Sequence, residues 1–341
     1  MYESFFGLTG NPFKLSPDPD FYYDSPIHKR AHAYLEYGLY QGEGFIVITG
    51  EVGAGKTTIV RNLLAHLDAS KVVAAHLVST MLDADDLVRA VCAAFGLQSK
   101  GTDKGSLLSE LEQYLKSIAL ERKRALLIVD EAQNLTARAI EELRMLSNFQ
   151  IGGRGLLQSF LVGQPELRKV MQHPTMQQLR QRVIASYHLG ALDRQESQRY
   201  IEHRMVHVGW KRKNPTFEPG TMDAIFAFTA GIPRRINLVC NRLLLMAFLR
   251  DVQTIRSEDV GTVADELKEE LGATNPNEAI EPAHSRDPAD GLEPVAAGLA
   301  PPDEDEHLTE RVVRLEKTLT VVLNTLRRLV RVIEPAARQG N

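Results

Sequence analysis

Gly50-Glu51-Val52-Gly53-Ala54-Gly55-Lys56-Thr57, a complete G-x-x-x-x-G-K-[ST], follows directly on the apolar run Phe45-Ile46-Val47-Ile48-Thr49. The order reads strand, glycine loop, helix. Gly50, Gly53 and Gly55 let backbone N–H groups turn inward around phosphate oxygens, and a helix starting near Lys56 points its positive dipole end at the same place. In that setting Lys56 reaches the β/γ-phosphates, Thr57 holds Mg2+, and Ala54 and Thr58 border the phosphates. The plain alternative is a chance glycine turn before a helix. The strand on one side and the helix on the other weigh against it, so the stretch predicts a nucleoside triphosphate site.

Outward from this loop, five apolar runs read as strands: Phe45–Thr49, Val72–Thr80, Ala125–Val129, Leu156–Val162 and Val183–Leu189. Helical patterns separate them at Thr57–Leu67, from Asp83, at Ser106 to about Leu120, and at Ala137–Phe149. Strands alternating with helices predict an α/β fold with a parallel five-stranded sheet, its ligand lying at the carboxyl ends of the strands. From Asp193 onward helices dominate, at Gln195–Val208, Pro219–Thr229, Arg234–Arg250 and Glu258–Leu271, which predicts a smaller helical lid domain. The expected partition is an N-terminal segment 1–43, a P-loop core 44–190 and a lid 191–271.

The third strand ends Leu126-Leu127-Ile128-Val129-Asp130-Glu131, four apolar residues and then two carboxylates. Asp130 is placed to hold Mg2+ and Glu131 to orient and deprotonate an attacking water, the parts that phosphoryl transfer needs. Two adjacent carboxylates repel without a cation, so the pair itself argues for the metal. Gln164, at the end of the fourth strand, reaches the water or the γ-phosphate if that strand lies between the first and third; otherwise it is a turn residue before Pro165. Arg180 and Arg182 precede the fifth strand on a side where a neighbouring subunit receives an arginine finger, and Arg234 and Arg235 open a lid helix that closes over the nucleotide. A surface ion pair is the bland reading for each of these arginines.

His203 and His207 share a helix face at i,i+4, but with no H-E-x-x-H and no cysteine nearby they read as solvated side chains. Lys211-Arg212-Lys213 reads as a solvated loop rather than a nucleic-acid patch.

Composition bounds the rest. The chain has 341 residues, 43% of them hydrophobic and 25% charged, with a formal net charge of −4, which suits a globular protein of about two domains plus extensions and supplies no global positive field for nucleic acid. The two cysteines, Cys92 and Cys240, sit in helical apolar patterns and offer neither a disulfide scaffold nor zinc spacing. The amino terminus lacks a basic segment followed by a long apolar core, and the greasiest helix segment, Leu243 to Leu249, is too short to cross a bilayer, so a cytoplasmic protein is expected. Residues 272–306 are rich in Pro, Ala, Asp and Glu and read as a disordered linker. Beyond it Leu308, Leu315, Val322 and Leu329 fall on one heptad position and Val312, Leu319, Leu326 and Ile333 on another, so 307–335 reads as a coiled-coil helix with a partner of its own. Its competing reading is a single amphipathic helix docked on the lid or a partner, and its six basic residues also suit peripheral contact with an anionic membrane surface.

Taken together, Asn11-Pro12-Phe13, Pro17-Asp18-Pro19, the glycine loop, Asp130-Glu131-Ala132-Gln133-Asn134, Gly163-Gln164-Pro165-Glu166-Leu167 and Gly231-Ile232-Pro233-Arg234-Arg235 resemble the AAA+ ATPases of the ExeA/GspA secretion group, over roughly residues 1 to 270. Within that group the resemblance is to the ATPase associated with XrtA exosortase and PEP-CTERM exopolysaccharide systems. It implies ATP as the nucleotide, Lys56 and Thr57 in the Walker A, Asp130 and Glu131 in the Walker B, Gln164 near sensor 1 and Arg234 as sensor 2. It also implies a homo-oligomer with Arg182, ahead of Arg180, as arginine finger, and an N-terminal segment packed along the base. ExeA-type proteins carry a membrane span and a periplasmic part after the ATPase, whereas a linker and a heptad helix are expected here. Two other readings stand beside this one, a DNA-loading ATPase of the transposition-regulator kind and a nucleotide-gated scaffold acting through its coiled coil. The acidic balance and the lack of a helix-turn-helix signature argue against DNA.

Overall fold

The computed structural model describes residues 2–16, 18–78, 82–97 and 103–271. The expected linker at 272–306 and heptad helix at 307–335 lie outside the described residues.

The strands in chain order are β1 (Phe45–Gly50), β2 (Val72–Val78), β3 (Arg124–Asp130), a short hairpin of β4 (Gln150–Ile151) and β5 (Arg154–Gly155), β6 (Leu157–Gly163) and β7 (Val183–Leu189). Five of them form one parallel sheet in the order β2-β3-β6-β1-β7. Side chains alternate across it. Ile46 and Ile48 of β1 join Leu126, Ile128, Phe160 and Val162 on one face, under helices Pro26–Gln41 and Lys56–His66. Phe45 and Val47 join Leu127, Val129 and Leu161 on the other, under helices Ala84–Ala94, Lys104–Leu120 and Ala137–Leu146. Both faces are covered, which is why these strands read as unbroken apolar runs. Each such side chain contributes about 1.5–3 kcal/mol on burial.

Helices Arg194–His207, Thr221–Thr229, Pro233–Leu249 and Ser257–Leu271 build the lid, with β8 (Thr216–Phe217) paired to β9 (Thr254–Ile255). Asp193 and Glu196 close a capping box on the first of these helices. Gly231 makes the joint to the core: its φ is +72°, and a Cβ there would stand 1.9 Å from the Leu192 carbonyl oxygen. No side chain larger than hydrogen fits that approach.

The segment 1–43, read from the sequence as one unit, divides between two cores. Tyr2, Phe6, Leu8, Phe13 and Phe21 enter the lid core beside Tyr200, Ile201 and Met205. Helix Pro26–Gln41, absent from the sequence reading, lays Ala31 and Leu35 on the sheet. Its signals were present: Ser25 caps its start, Pro26 opens it, and Gly42 ends it at φ +76°.

Candidate functional site

The glycine loop bends at the carboxyl end of β1, with φ +83° at Gly53 and +101° at Gly55. Gly55 is the N-cap of helix Lys56–His66 and makes no side-chain cap hydrogen bond. The first N–H groups of that helix thus face the cleft, as an anion site requires. The loop also meets the lid, since Arg234 N donates to the Gly53 carbonyl at 3.2 Å, and a Cβ on Gly53 would lie 2.4 Å from that of Arg234. Lys56 is buried, its Nζ donating to the carbonyls of Gly50 at 2.7 Å and Glu51 at 3.0 Å. Burial pulls its ammonium below the ordinary lysine range, and the carboxylates of Glu131 and Asp130 oppose that pull.

Parallel β3 delivers Asp130 to the same end of the sheet. Thr57 Oγ1 donates to Asp130 Oδ2 at 2.9 Å, which brings together two hard oxygen donors 73 residues apart in the chain. A glycine-built cradle, uncapped helix N–H groups, a buried ammonium and this oxygen pair fit a triphosphate with Mg2+. Glu131, the next residue, stands at φ +54°, ψ +38°, a left-handed conformation costing roughly 1–2 kcal/mol for a residue with a Cβ. Such strain concentrates where a side chain must be aimed. The sheet order places β6 between β1 and β3, the condition set for Gln164, and Gln164 Nε2 donates to Glu131 Oε2 at 3.3 Å. Gln133 Nε2 donates to the same oxygen at 2.6 Å.

One cleft runs from these groups to the end expected to take the nucleotide base, where Leu15, Asp18, Phe21 and Tyr22 of the N-terminal segment face Tyr200, Arg204 and Asn237 of the lid. Arg204 is buried: its Nε donates to the Pro12 carbonyl at 2.6 Å, its Nη1 to Tyr200 Oη at 3.0 Å, and its guanidinium lies 4.7 Å from the Phe21 ring centre. Tyr200 Oη in turn donates to Asn237 Oδ1 at 2.9 Å. His28 sits under the glycine loop, with Nδ1 2.6 Å from Ser25 Oγ and a hydrogen bond to the Ala54 backbone. Burial pushes its imidazole down to about 4.

Gly53, Gly55, Lys56, Thr57, Thr58, Glu131, Gln164 and Arg234 therefore line one cleft, Gly50 and Asp130 are joined to it through Lys56 and Thr57, and Ala54 is buried in the apolar cluster under the loop. Arg180 and Arg182 do not join them. Phe45 N donates to the Arg182 carbonyl at 2.9 Å, so Arg182 stands at the amino end of β1, about 17 Å of strand away from Gly50. Arg182 Nη1 donates to Ser147 Oγ at 2.6 Å and Nη2 to Asn148, while Arg180 Nη1 donates to the carbonyls of Met171 at 2.6 Å and His173 at 2.8 Å. His203 corrects the expectation of a solvated side chain, whereas His207 is exposed as expected. The His203 ring lies 5.4 Å from that of Tyr23 with Nε2 buried, and the His207 ring 4.4 Å from that of Phe21. They pack on the N-terminal segment, whose docking on the lid no local pattern announces. Arg212 of the basic loop pairs with Glu202 at 2.7 Å, and all three of its basic residues are exposed.

Residues 39–171 match the family model of the AAA domain. Over 268 residues the chain is 38% identical to General secretion pathway protein A of Aeromonas hydrophila, an overlap covering 78% of this chain and 48% of that protein. The chain thus spans about half the length of this curated relative. Among solved structures, the ORC2 protein of Aeropyrum pernix in its ADP form superposes with a TM-score of 0.53 at 18% identity, over 73% of this chain and 70% of that one. Cdc6p from Pyrobaculum aerophilum gives 0.56 at 14% identity, over 80% and 74%. At these identities the structures speak to fold alone; the AAA-domain match and the sheet order give the core the P-loop fold of the AAA type.

Proposed function

We propose that this chain is an ExeA/GspA-type ATPase that binds ATP with Mg2+, hydrolyses it, and drives or regulates assembly of a bacterial envelope system, of the XrtA exosortase and exopolysaccharide kind. The observation that carries the ATPase reading is the meeting of Thr57 with Asp130 at 2.9 Å beside Lys56 and Glu131. The AAA-domain match and the identity to General secretion pathway protein A support the wider role.

In this reading the loop N–H groups and Lys56 bind the β- and γ-phosphates, and Thr57 and Asp130 hold the metal. When bound, Mg2+ neutralises charge on the phosphate oxygens. Glu131 orients the attacking water and takes its proton, Gln164 contacts the γ-phosphate side, and Arg234 closes the lid over the phosphates. Arg182 or Arg180 completes the site of a neighbouring copy, which requires the hydrogen bonds each makes to its own chain to be exchanged. The partner of the 307–335 segment is another copy or an envelope component, with peripheral membrane contact through its basic residues. Among the described residues no helix is long and apolar enough to cross a membrane.

The test uses the purified full chain. Lys56→Ala should lose nucleotide binding and turnover together, whereas Glu131→Gln should bind ATP normally and lose turnover by about 100-fold or more. A Glu131→Gln chain that hydrolyses ATP at the parent rate would overturn the assignment. For the wider role, Glu131→Gln should fail to restore surface polysaccharide output in a strain deleted for the gene, and restoration would refute it.

A further inference from the structure

We infer that Gln133 is a positioning residue that fixes the Glu131 carboxylate and ties it to the end of β6. The inference rests on Glu131 being the water-activating group. Gln133 lies in the one-turn helix Ala132–Asn134 that follows β3, held in place by buried Ala132 and Leu135. Both halves of its amide are used. Its Oε1 accepts the Gln164 N–H at 2.9 Å, and its Nε2 donates to Glu131 Oε2 at 2.6 Å. The orientation is set by chemistry, because a backbone N–H can only donate and a carboxylate can only accept, so oxygen must face Gln164 and nitrogen Glu131.

Two further features are arranged around this bridge. Glu131 occupies its left-handed backbone conformation, φ +54°, one residue after the sheet ends, and this turns its side chain back toward Gln133. Gly163 leaves room on the opposite side, where a Cβ would stand 2.7 Å from Gln133 Oε1. A glutamate left to rotate loses side-chain entropy when fixed for reaction, and a short charge-assisted bond fixes it beforehand. Because Gln164 contributes both its backbone N–H to Gln133 and its own amide to Glu131, a displacement of the β6 end shifts the carboxylate with it.

Gln133→Glu separates positioning from structure. It keeps an acceptor for the Gln164 N–H and loses the donor to Glu131, so the nucleotide-free chain should show near-parental amide exchange at Gln164. Its kcat should fall about tenfold or more at saturating ATP, which separates the lost positioning from repulsion of the triphosphate by the added charge. Gln133→Ala loses both bonds, so kcat should fall comparably while Gln164 exchanges faster. A Gln133→Glu chain with parental kcat, or a loss confined to KM, overturns the inference. So does unchanged Gln164 exchange in Gln133→Ala. A parent chain that hydrolyses no ATP would instead overturn the role of Glu131, and Gln164 exchange would still decide whether the bridge exists.

Discussion

The two ends of the cleft are built in different ways. At the phosphate end the work is done by backbone geometry and by side chains from contiguous motifs, with Lys56 buried among carbonyls and carboxylates. At the base end it is done by side chains from distant parts of the sequence, with Arg204 reaching back 192 residues to the Pro12 carbonyl. A buried cation at the first end is proposed to meet phosphate, whereas one at the second ties the N-terminal segment to the lid. Substitutions of the two should therefore separate binding from stability.

The sharpest test of that contrast sets Arg204→Ala against Lys56→Ala. Removing Arg204 leaves the Pro12 carbonyl without its donor, takes a donor from Tyr200 Oη and opens a hole beside Phe21, so unfolding free energy should fall by about 3 kcal/mol. Lys56→Ala relieves a desolvated charge and should stay within about 1 kcal/mol of the parent while nucleotide binding is lost. Urea unfolding of both variants, read beside nucleotide titrations, checks the pair. Equal destabilisation would break the contrast.

The same difference decides what could be read in advance. The sheet, the glycine loop, Asp130-Glu131 and the placement of Gln164 were legible because each depends on local pattern plus a handedness rule for crossovers. Gln133 was in view within the motif, but its role needed the ends of β3 and β6 side by side. Arg204, Tyr200 and Asn237 carried no signal, since a helix facing both solvent and an N-terminal segment does not announce which polar residues are covered. His203 was misjudged for that reason, while His207 is exposed as its pattern implied. The Pro26–Gln41 helix was legible from its caps and went unread because its apolar stripe is weak.

His28 lies on the seam between the two ends, under the glycine loop but held by Ser25 at the start of the Pro26–Gln41 helix. Its folded imidazole is pushed down from 6.5 to about 4 by burial, which outweighs the opposing pull of Asp24. The unfolded chain therefore takes up the proton first. Stability from this group is complete above pH 6.5 and is lost as pH falls from 6.5 toward 4, about 3 kcal/mol in total. His28→Gln should flatten that part of the pH dependence, measured by urea unfolding at pH 7 and 4.5 in both chains. An identical loss in parent and variant would show that His28 does not couple the seam to pH.

The smallest expected effect belongs to Asn237, and it asks whether the base end binds ligand at all. Tyr200 Oη occupies Asn237 Oδ1 at 2.9 Å, which leaves the Nδ2 protons to a ligand acceptor in the cleft that Asn237 lines. One neutral hydrogen bond contributes about 1 kcal/mol, so Asn237→Ala should weaken ATP about fivefold. Inorganic tripolyphosphate, which has no base, should bind parent and variant alike, whereas Lys56→Ala should weaken both ligands. If Asn237→Ala weakens tripolyphosphate as much as ATP, the residue acts through the lid and the division between the two ends fails at that point.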